Sequence, residues 1–272
     1  MYSRLGVLGC GTMGRAVLKG VLSSPTHAEL TVVASVRSAA SEAVVREHLP
    51  SVTVGRDNIA VAEACDVILL AVKPQVAGDV LSEPGLASAL RGKLLVSLCA
   101  GVTLTQLRQW LPDVRIVRAM PNTPALVGEG MTVLSPASDV SDADLAWLQE
   151  LFAGTGRVLR LEEHHLDAVT GLSGSGPAFV CVILDALAAG GVMMGLPRAV
   201  AVELAAQTMK GTASMVLETG DHPAALRDRV TTPAGCTIAG LFEMEAGNVR
   251  STLARTIREA ASVASGLGTD KN

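Results

Sequence analysis

Aromatic side chains are nearly absent, at 2% of 272 residues, with two tryptophans, one tyrosine and three phenylalanines. The core must therefore be aliphatic, built from alanine, valine and leucine. Charge is also sparse, at 18% against 49% hydrophobic residues, with a mean hydropathy of +0.41. Such a chain needs an extensive core or large subunit contacts. A net charge of −4 without any long basic run argues against nucleic acid as the main partner. The five cysteines (Cys10, Cys65, Cys99, Cys181, Cys236) are scattered, odd in number and without a CxxC pair. That excludes a zinc site, leaves no metal expected, and points to a reduced, cytoplasmic protein. No charged leader followed by an apolar stretch opens the chain, so no signal peptide is expected. Ala178 to Leu196 is nearly apolar, but Asp185 interrupts it and Gly190-Gly191 weakens it. A buried helix at a subunit interface is expected there, not a membrane span.

What is present begins at once. Leu5–Leu8 reads as a strand, Gly9-Cys10-Gly11-Thr12-Met13-Gly14 follows, and Arg15–Leu22 has helical spacing. This is GxGxxG between a strand and a helix, the context a dinucleotide fingerprint requires. The first glycine makes the turn, the second lets backbone approach a pyrophosphate, and the third lets helix and strand pack closely. Leu8 to Gly14 are accordingly candidate cofactor contacts, with the pyrophosphate on the helix start. The next strand, Leu30–Ser35, ends in Ser35-Val36-Arg37-Ser38, where an NAD site would carry a carboxylate. Arg37 between the hydroxyls of Ser35 and Ser38 suits a 2′-phosphate instead. NADP(H) is expected, with NAD(H) left open as a second donor.

Further strands follow at 52–54, 66–72, 93–98, 115–119, 130–134 and 156–161, with helices at 60–64, 76–90, 105–111 and 142–152. Alternating strands and helices predict a doubly wound parallel sheet of Rossmann type over residues 1–161. Ligands sit beyond the C-terminal strand ends of such sheets. Ala71-Val72-Lys73-Pro74, Leu98-Cys99-Ala100 and Asn122 are therefore cofactor candidates. Lys73 is read either as a base or as a loop residue meeting solvent or phosphate. The Asn122 amide is open to the nicotinamide or to backbone.

From residue 162 to 272 the pattern is helical. Glu163–Leu172 reads as a helix, Ser173-Gly174-Ser175-Gly176-Pro177 as a polar break, and Ala178–Met194 as its resumption. Pro197–Leu217, Ala224–Val230, Ile238–Ala246 and Arg250–Ser265 are further helices. No histidine has a convincing catalytic partner. Thr231-Thr232-Pro233-Ala234-Gly235-Cys236-Thr237 reads as a tight turn feeding a helix, with Pro233 fixing one backbone angle and Gly235 permitting an unusual one. Unpaired amides at that helix start suit a carboxylate, and Thr237 offers a hydroxyl.

In this order the motifs resemble those of pyrroline-5-carboxylate reductases, across essentially the whole chain. The carriers are the fingerprint, Ala71–Pro74, Met120-Pro121-Asn122-Thr123-Pro124, Asp167–Pro177 and Thr232–Leu241. One departure stands out: the family pattern Ser-Pro-Gly-Gly-x-Thr appears here as Thr232-Pro233-Ala234-Gly235-Cys236-Thr237. The resemblance implies an NADPH-dependent reduction of a five-membered cyclic imine carrying a carboxylate, 1-pyrroline-5-carboxylate, to L-proline. It implies that the Gly235–Thr237 amides hold the carboxylate and Thr237 bonds the ring nitrogen. It places Ser173–Pro177, Glu163, Val230, Gly235 and Cys236 near substrate, and Asn58 and Arg229 near cofactor. It also implies a homodimer or higher homo-oligomer through the C-terminal helices, with no membrane partner. Two other functions stay open. One is another NADP-dependent imine or β-hydroxyacid oxidoreductase of the same plan. The other is a non-enzymatic NADPH-binding protein, for which Ala234 and Cys236 are the hints. The dehydrogenases use a lysine on the helical side, and Lys210 lacks their accompanying Gly/Asn-rich motif.

Overall fold

The computed structural model describes residues 2–268. The chain forms two compact units, one of residues up to Ser175 together with Arg258 onward, the other Gly176–Ile257.

The first unit is built on an eight-stranded sheet. Its strands are β1 (Arg4–Leu8), β2 (Thr31–Ser35), β3 (Thr53–Gly55), β4 (Val67–Leu70), β5 (Leu94–Ser97), β6 (Arg115–Met120), β7 (Gly130–Pro136) and β8 (Gly156–Arg160), ordered β3-β2-β1-β4-β5-β6-β7-β8. The order reverses next to β1, which is where doubly wound sheets bind ligands. The sheet is not wholly parallel as expected: β7 runs antiparallel to β6, and β8 pairs parallel with β7. The cause is chain length. Only residues 121–129 join β6 to β7, and a parallel crossover needs about a dozen residues or more.

Strand alternation sends side chains to two cores. Val67, Leu69, Leu94 and Val96 pack with α1 (Thr12–Ser23) and α7 (Asp142–Ala153). Ile68, Leu70 and Leu95 pack on the opposite face with α3 (Asn58–Ala64), α4 (Ala77–Leu81), α5 (Leu86–Leu90) and α6 (Leu104–Trp110). Between β2 and β3 lies α2 (Ala39–His48), an element the sequence pattern did not suggest. The single helix expected over 76–90 is two, because Pro84 and a left-handed Gly85 (φ 95°) separate α4 from α5.

The boundary also moves. Residues 162–175 belong to the sheet unit, not to the helical half, because Leu166 in α8 (Leu166–Val169) is buried against Met120 and Val133. The second unit contains α9 (Gly176–Met193), α10 (Arg198–Thr219), α11 (Pro223–Arg229), α12 (Cys236–Ala246) and most of α13 (Val249–Ala264). By length and composition the helical run Glu163–Met193 passes for a membrane span, but only 6% of that apolar window is buried in the single chain. The helix at 178–196, expected to be buried at a subunit interface, is thus exposed in the single chain. Val182, Leu187, Met193, Val202 and Leu204 all face outward on α9 and α10. Monomeric soluble proteins rarely leave so much apolar surface open.

Candidate active site

The fingerprint adopts the geometry its glycines predict. Gly9 has φ 81°, and a Cβ there would meet Val72 at 2.3 Å. At Gly14 a Cβ would sit 3.3 Å from Ala71, so helix and strand lie close. At Gly11 it would meet nothing nearer than 3.9 Å, so this backbone borders open space. α1 starts on Gly11 with no side-chain cap, whereas Ser38, Asp57, Thr103 and Ser141 cap α2, α3, α6 and α7. Thr12, Met13 and Gly14 therefore keep first-turn amides that no side chain caps, the kind of donor a pyrophosphate would require. Leu8 and Cys10 are fully buried, and the Cys10 N–H donates to the Ser35 carbonyl at 3.0 Å. Burial pushes the Cys10 thiol up to about 11. The side chains of these two residues shape the loop from within.

The phosphate reading changes at its two serines. Ser35 is buried, and its hydroxyl donates to Asn58 Oδ1 at 2.6 Å, while Asn58 Nδ2 donates to Glu83 at 2.8 Å. Both residues thus brace the end of β2 and are not free for phosphate. Ser38 caps α2, its oxygen accepting from the Ser41 amide at 3.2 Å. Arg37 is exposed and has no hydrogen-bond or ion-pair partner among the described residues. Beside it lies a second guanidinium that the sequence pattern missed. β2 pairs with β3 in the register Ser35↔Gly55, so Arg56 leaves the sheet next to the 36–38 segment. Arg56 lies 3.6 Å from Glu42, whose other oxygen takes Arg46 at 2.7 Å.

At the next strand ends, Ala71, Val72 and Pro74 are half-buried, and Lys73 is exposed without a partner among the described residues. That places Lys73 in the loop role and gives it no neighbour that would make it a base. Leu98 and Ala100 are half-buried after β5. Cys99 is buried, its thiol held at about 11 by desolvation and directed at the Val72 carbonyl, 3.5 Å away.

Asn122 resolves toward backbone. Its Oδ1 accepts from the Met131 amide at 2.8 Å, and its Nδ2 donates to the Ser173 carbonyl at 3.1 Å and hydroxyl at 3.3 Å. The reason lies four residues beyond Ser173. Pro177 has no N–H to return to that carbonyl, so the Asn122 amide takes its place. The expected break at 173–177 is in fact a π-turn, Thr170–Gly174, in which the Ser175 amide donates to Thr170 at 2.9 Å. Ser173, Gly174, Ser175, Gly176 and Pro177 stay half-buried along it. Replacing Asn122 by alanine will orphan the Met131 N–H and the Ser173 carbonyl, at a cost of about 3 kcal/mol in unfolding free energy without any cofactor present. If the apo protein keeps its unfolding midpoint while NADPH affinity falls, the amide serves the cofactor and this assignment is wrong.

In the second unit, the Gly235 amide donates to the Thr232 carbonyl at 3.2 Å, closing a turn over Pro233 and Ala234. The unusual angle falls at Ala234 (φ 54°), not at Gly235 as expected, because a turn with proline at its second position and this hand needs positive φ at its third. Gly235 is small for another reason: a Cβ would lie 2.5 Å from the Thr232 hydroxyl. With the Gly235 amide engaged, the free donors shift by one, to Cys236, Thr237 and Ile238 in the first turn of α12, which also lacks a side-chain cap. Thr237 is half-buried and its hydroxyl has no partner among the described residues. Five other threonines, Thr170, Thr212, Thr219, Thr231 and Thr256, each bond the carbonyl four residues back. Val230 and Cys236 are exposed, and Arg229 pairs with Asp221 at 2.7 Å on the same unit.

Glu163 is half-buried. One of its oxygens accepts from Arg118 Nη1 at 2.9 Å and from the Leu104 amide at 2.6 Å. Arg118 was invisible from sequence, where an arginine in a strand reads as solvent-facing.

A dinucleotide sheet with an uncapped fingerprint helix, an unpaired arginine in place of the ribose carboxylate, and a separate helical unit defines an NADP-dependent oxidoreductase. Comparison with known proteins narrows the class. Residues 4–101 match the family described as NADP oxidoreductase, coenzyme F420-dependent, and residues 163–267 match pyrroline-5-carboxylate reductase dimerisation. The pyrroline-5-carboxylate reductase of Schizosaccharomyces pombe is 42% identical over 96% of this chain and 98% of its own length. That of Synechocystis is 42% identical over 96% of each. The solved pyrroline carboxylate reductase of Plasmodium falciparum, with NADP bound, superposes with a TM-score of 0.87 at 30% identity over 98% of each chain. The chain belongs to the pyrroline-5-carboxylate reductase family.

Proposed function

We propose that this chain reduces 1-pyrroline-5-carboxylate to L-proline with NADPH, the last step of proline biosynthesis. The observation that carries the chemistry is the unpartnered Thr237 hydroxyl beside the uncapped start of α12. The first-turn amides of Cys236, Thr237 and Ile238 hold the substrate carboxylate, since a helix start favours negative charge. The Thr237 hydroxyl then meets the ring nitrogen. Bound NADPH supplies the hydride to the imine carbon. A protonated imine is already electrophilic, so the chain contributes orientation and a shaped electrostatic field, with no strong side-chain acid. On the sheet unit, the first-turn amides of α1 hold the pyrophosphate, and Arg37 meets the 2′-phosphate. The sheet unit is the cofactor domain, and the helical unit, Gly176–Ile257, the substrate and oligomerisation domain.

The active form is a homodimer or a larger homo-oligomer through the C-terminal helices. The exposed apolar faces of α9 and α10 support this. The five free cysteines support a cytoplasmic protein. Mixing the protein with NADPH and pyrroline-5-carboxylate is expected to consume NADPH and yield proline stoichiometrically. If NADPH binds but persists with this imine, the substrate assignment fails, and other imines and 3-hydroxy acids are the next candidates.

A further inference from the structure

Gly101 and Gly268 lie backbone against backbone. A Cβ on Gly101 would sit 2.5 Å from the Ala264 carbonyl and 2.8 Å from the Gly268 nitrogen. One on Gly268 would sit 2.3 Å from the Gly101 carbonyl and 2.7 Å from the Val102 nitrogen. The obstructing atoms are backbone, so no rotamer change could make room. Gly101 also has φ 75°, which already favours glycine. Gly268 has no left-handed φ, so space alone demands glycine there.

The second glycine belongs to the end of the chain's last helix. α13 begins in the helical unit, but from Arg258 onward it is part of the sheet unit, and Ala264 is buried there. One side chain fastens this end to the segment after β5. Gln106 Oε1 accepts from the Thr103 amide at 2.8 Å and from its hydroxyl at 3.0 Å, while Gln106 Nε2 donates to the Gly268 carbonyl at 2.5 Å. A capping box needs only the oxygen, and a glutamate supplies it equally well. The nitrogen is what the amide adds, and it is spent on the chain's end.

The fastened segment lies on the row of strand ends that starts at the fingerprint. Gly9 packs on Val72, and the Val72 carbonyl faces the Cys99 thiol at 3.5 Å. From β1 this row runs over β4 to β5, away from β2 and Arg37. A dinucleotide straddling the switch point at β1 with its 2′-phosphate at β2 carries its nicotinamide half over β4 and β5.

We infer that Gln106 and Gly268 are positioning residues for the nicotinamide half of the cofactor: the end of α13, bonded by Gln106 and seated on Gly101, fixes the Leu98–Ala100 loop. They act through the loop. This rests on the reading of Leu98–Ala100 as cofactor contacts.

The test uses the whole protein and reads NADPH and NADH binding directly by nicotinamide fluorescence, so it does not depend on which imine is reduced. Gln106→Glu keeps the capping box and turns an oxygen toward the Gly268 carbonyl. Kd for both donors rises by the same factor, about tenfold. Amide exchange over 98–103 quickens, while exchange within α6 stays as in the wild type. Gly268→Ala leaves Gln106 and the cap untouched and wedges the contact open from the other side, with the same shared rise. An unchanged Kd in either variant overturns the inference. So does a rise confined to NADPH, because only the adenosine end differs between the donors. A rise accompanied by faster exchange throughout α6 also overturns it, since the contact then serves stability alone. In the wild type, NADPH must slow exchange over 98–103. Absence of that protection removes the cofactor-contact reading and the inference with it, whereas protection together with unaltered variants removes the role of Gln106 and Gly268 alone.

Discussion

Thr237→Ala lowers kcat/KM for pyrroline-5-carboxylate by about two to three orders of magnitude, the range seen when one preorganised donor is removed from a reacting centre. The structure makes the variant a clean one. The hydroxyl has no partner among the described residues, so nothing in the fold depends on it. Substitution of Thr212 or Thr256, by contrast, would break a bond to the preceding helical turn. Thr237 lies in the first turn of α12, where the side chain replaces no capping bond and alanine suits the helix. The unfolding midpoint and NADPH affinity are therefore expected to stay at wild-type values while turnover falls. Thr237→Ser keeps the hydroxyl and should retain most of the rate. The measurement is steady-state NADPH oxidation at varied imine concentration, beside a melting curve for each variant. A Thr237→Ala enzyme within threefold of wild-type kcat/KM would mean that the hydroxyl does not touch the reacting nitrogen.

What could be read from the sequence was local. Eight strands are legible because each is a short apolar run with turn residues on both sides, and spacing alone assigns the fingerprint glycines their separate tasks. α2 escaped because its apolar stripe is thin, with Val45 its only buried residue, so periodicity gave little signal even though Ser38 stood ready as a cap. The antiparallel β7 follows from the short 121–129 connection. Other features depend on residues far apart in the chain. The π-turn before Pro177 needs Asn122 as a substitute donor. Arg118 is buried only because Glu163, far along the chain, is there to meet it. Ser35 looked like a phosphate ligand because its partner, Asn58, arrives from the start of α3. In each case the residue type was right for a polar task, and tertiary contact decided which task.

The same logic decides cofactor choice, where removing positive charge should move selectivity and little else. Arg37→Ala raises KM for NADPH by roughly 10- to 100-fold, the loss of one charged phosphate contact, and leaves KM for NADH unchanged. Three observations support the asymmetry. Arg37 has no competing partner among the described residues. Arg56, leaving β3 beside it, is partly neutralised by Glu42. That carboxyl is held below its usual range chiefly by its hydrogen bond from Arg46, with Arg56 adding to the effect, so it remains ionised at neutral pH. Asp57, the acid nearest the β3 end, caps α3 through the Ala60 amide at 2.9 Å, which leaves it poorly placed to serve an NADH ribose. Arg56→Ala is therefore expected to weaken NADPH less than Arg37→Ala, and the double variant to lose the preference for NADPH over NADH almost entirely. Parallel titrations with the two donors separate the possibilities. A variant that slows both donors equally has disturbed the β2–β3 edge. One that slows neither shows that the 2′-phosphate is held elsewhere, and Arg37 then loses its role as the group that distinguishes the two cofactors.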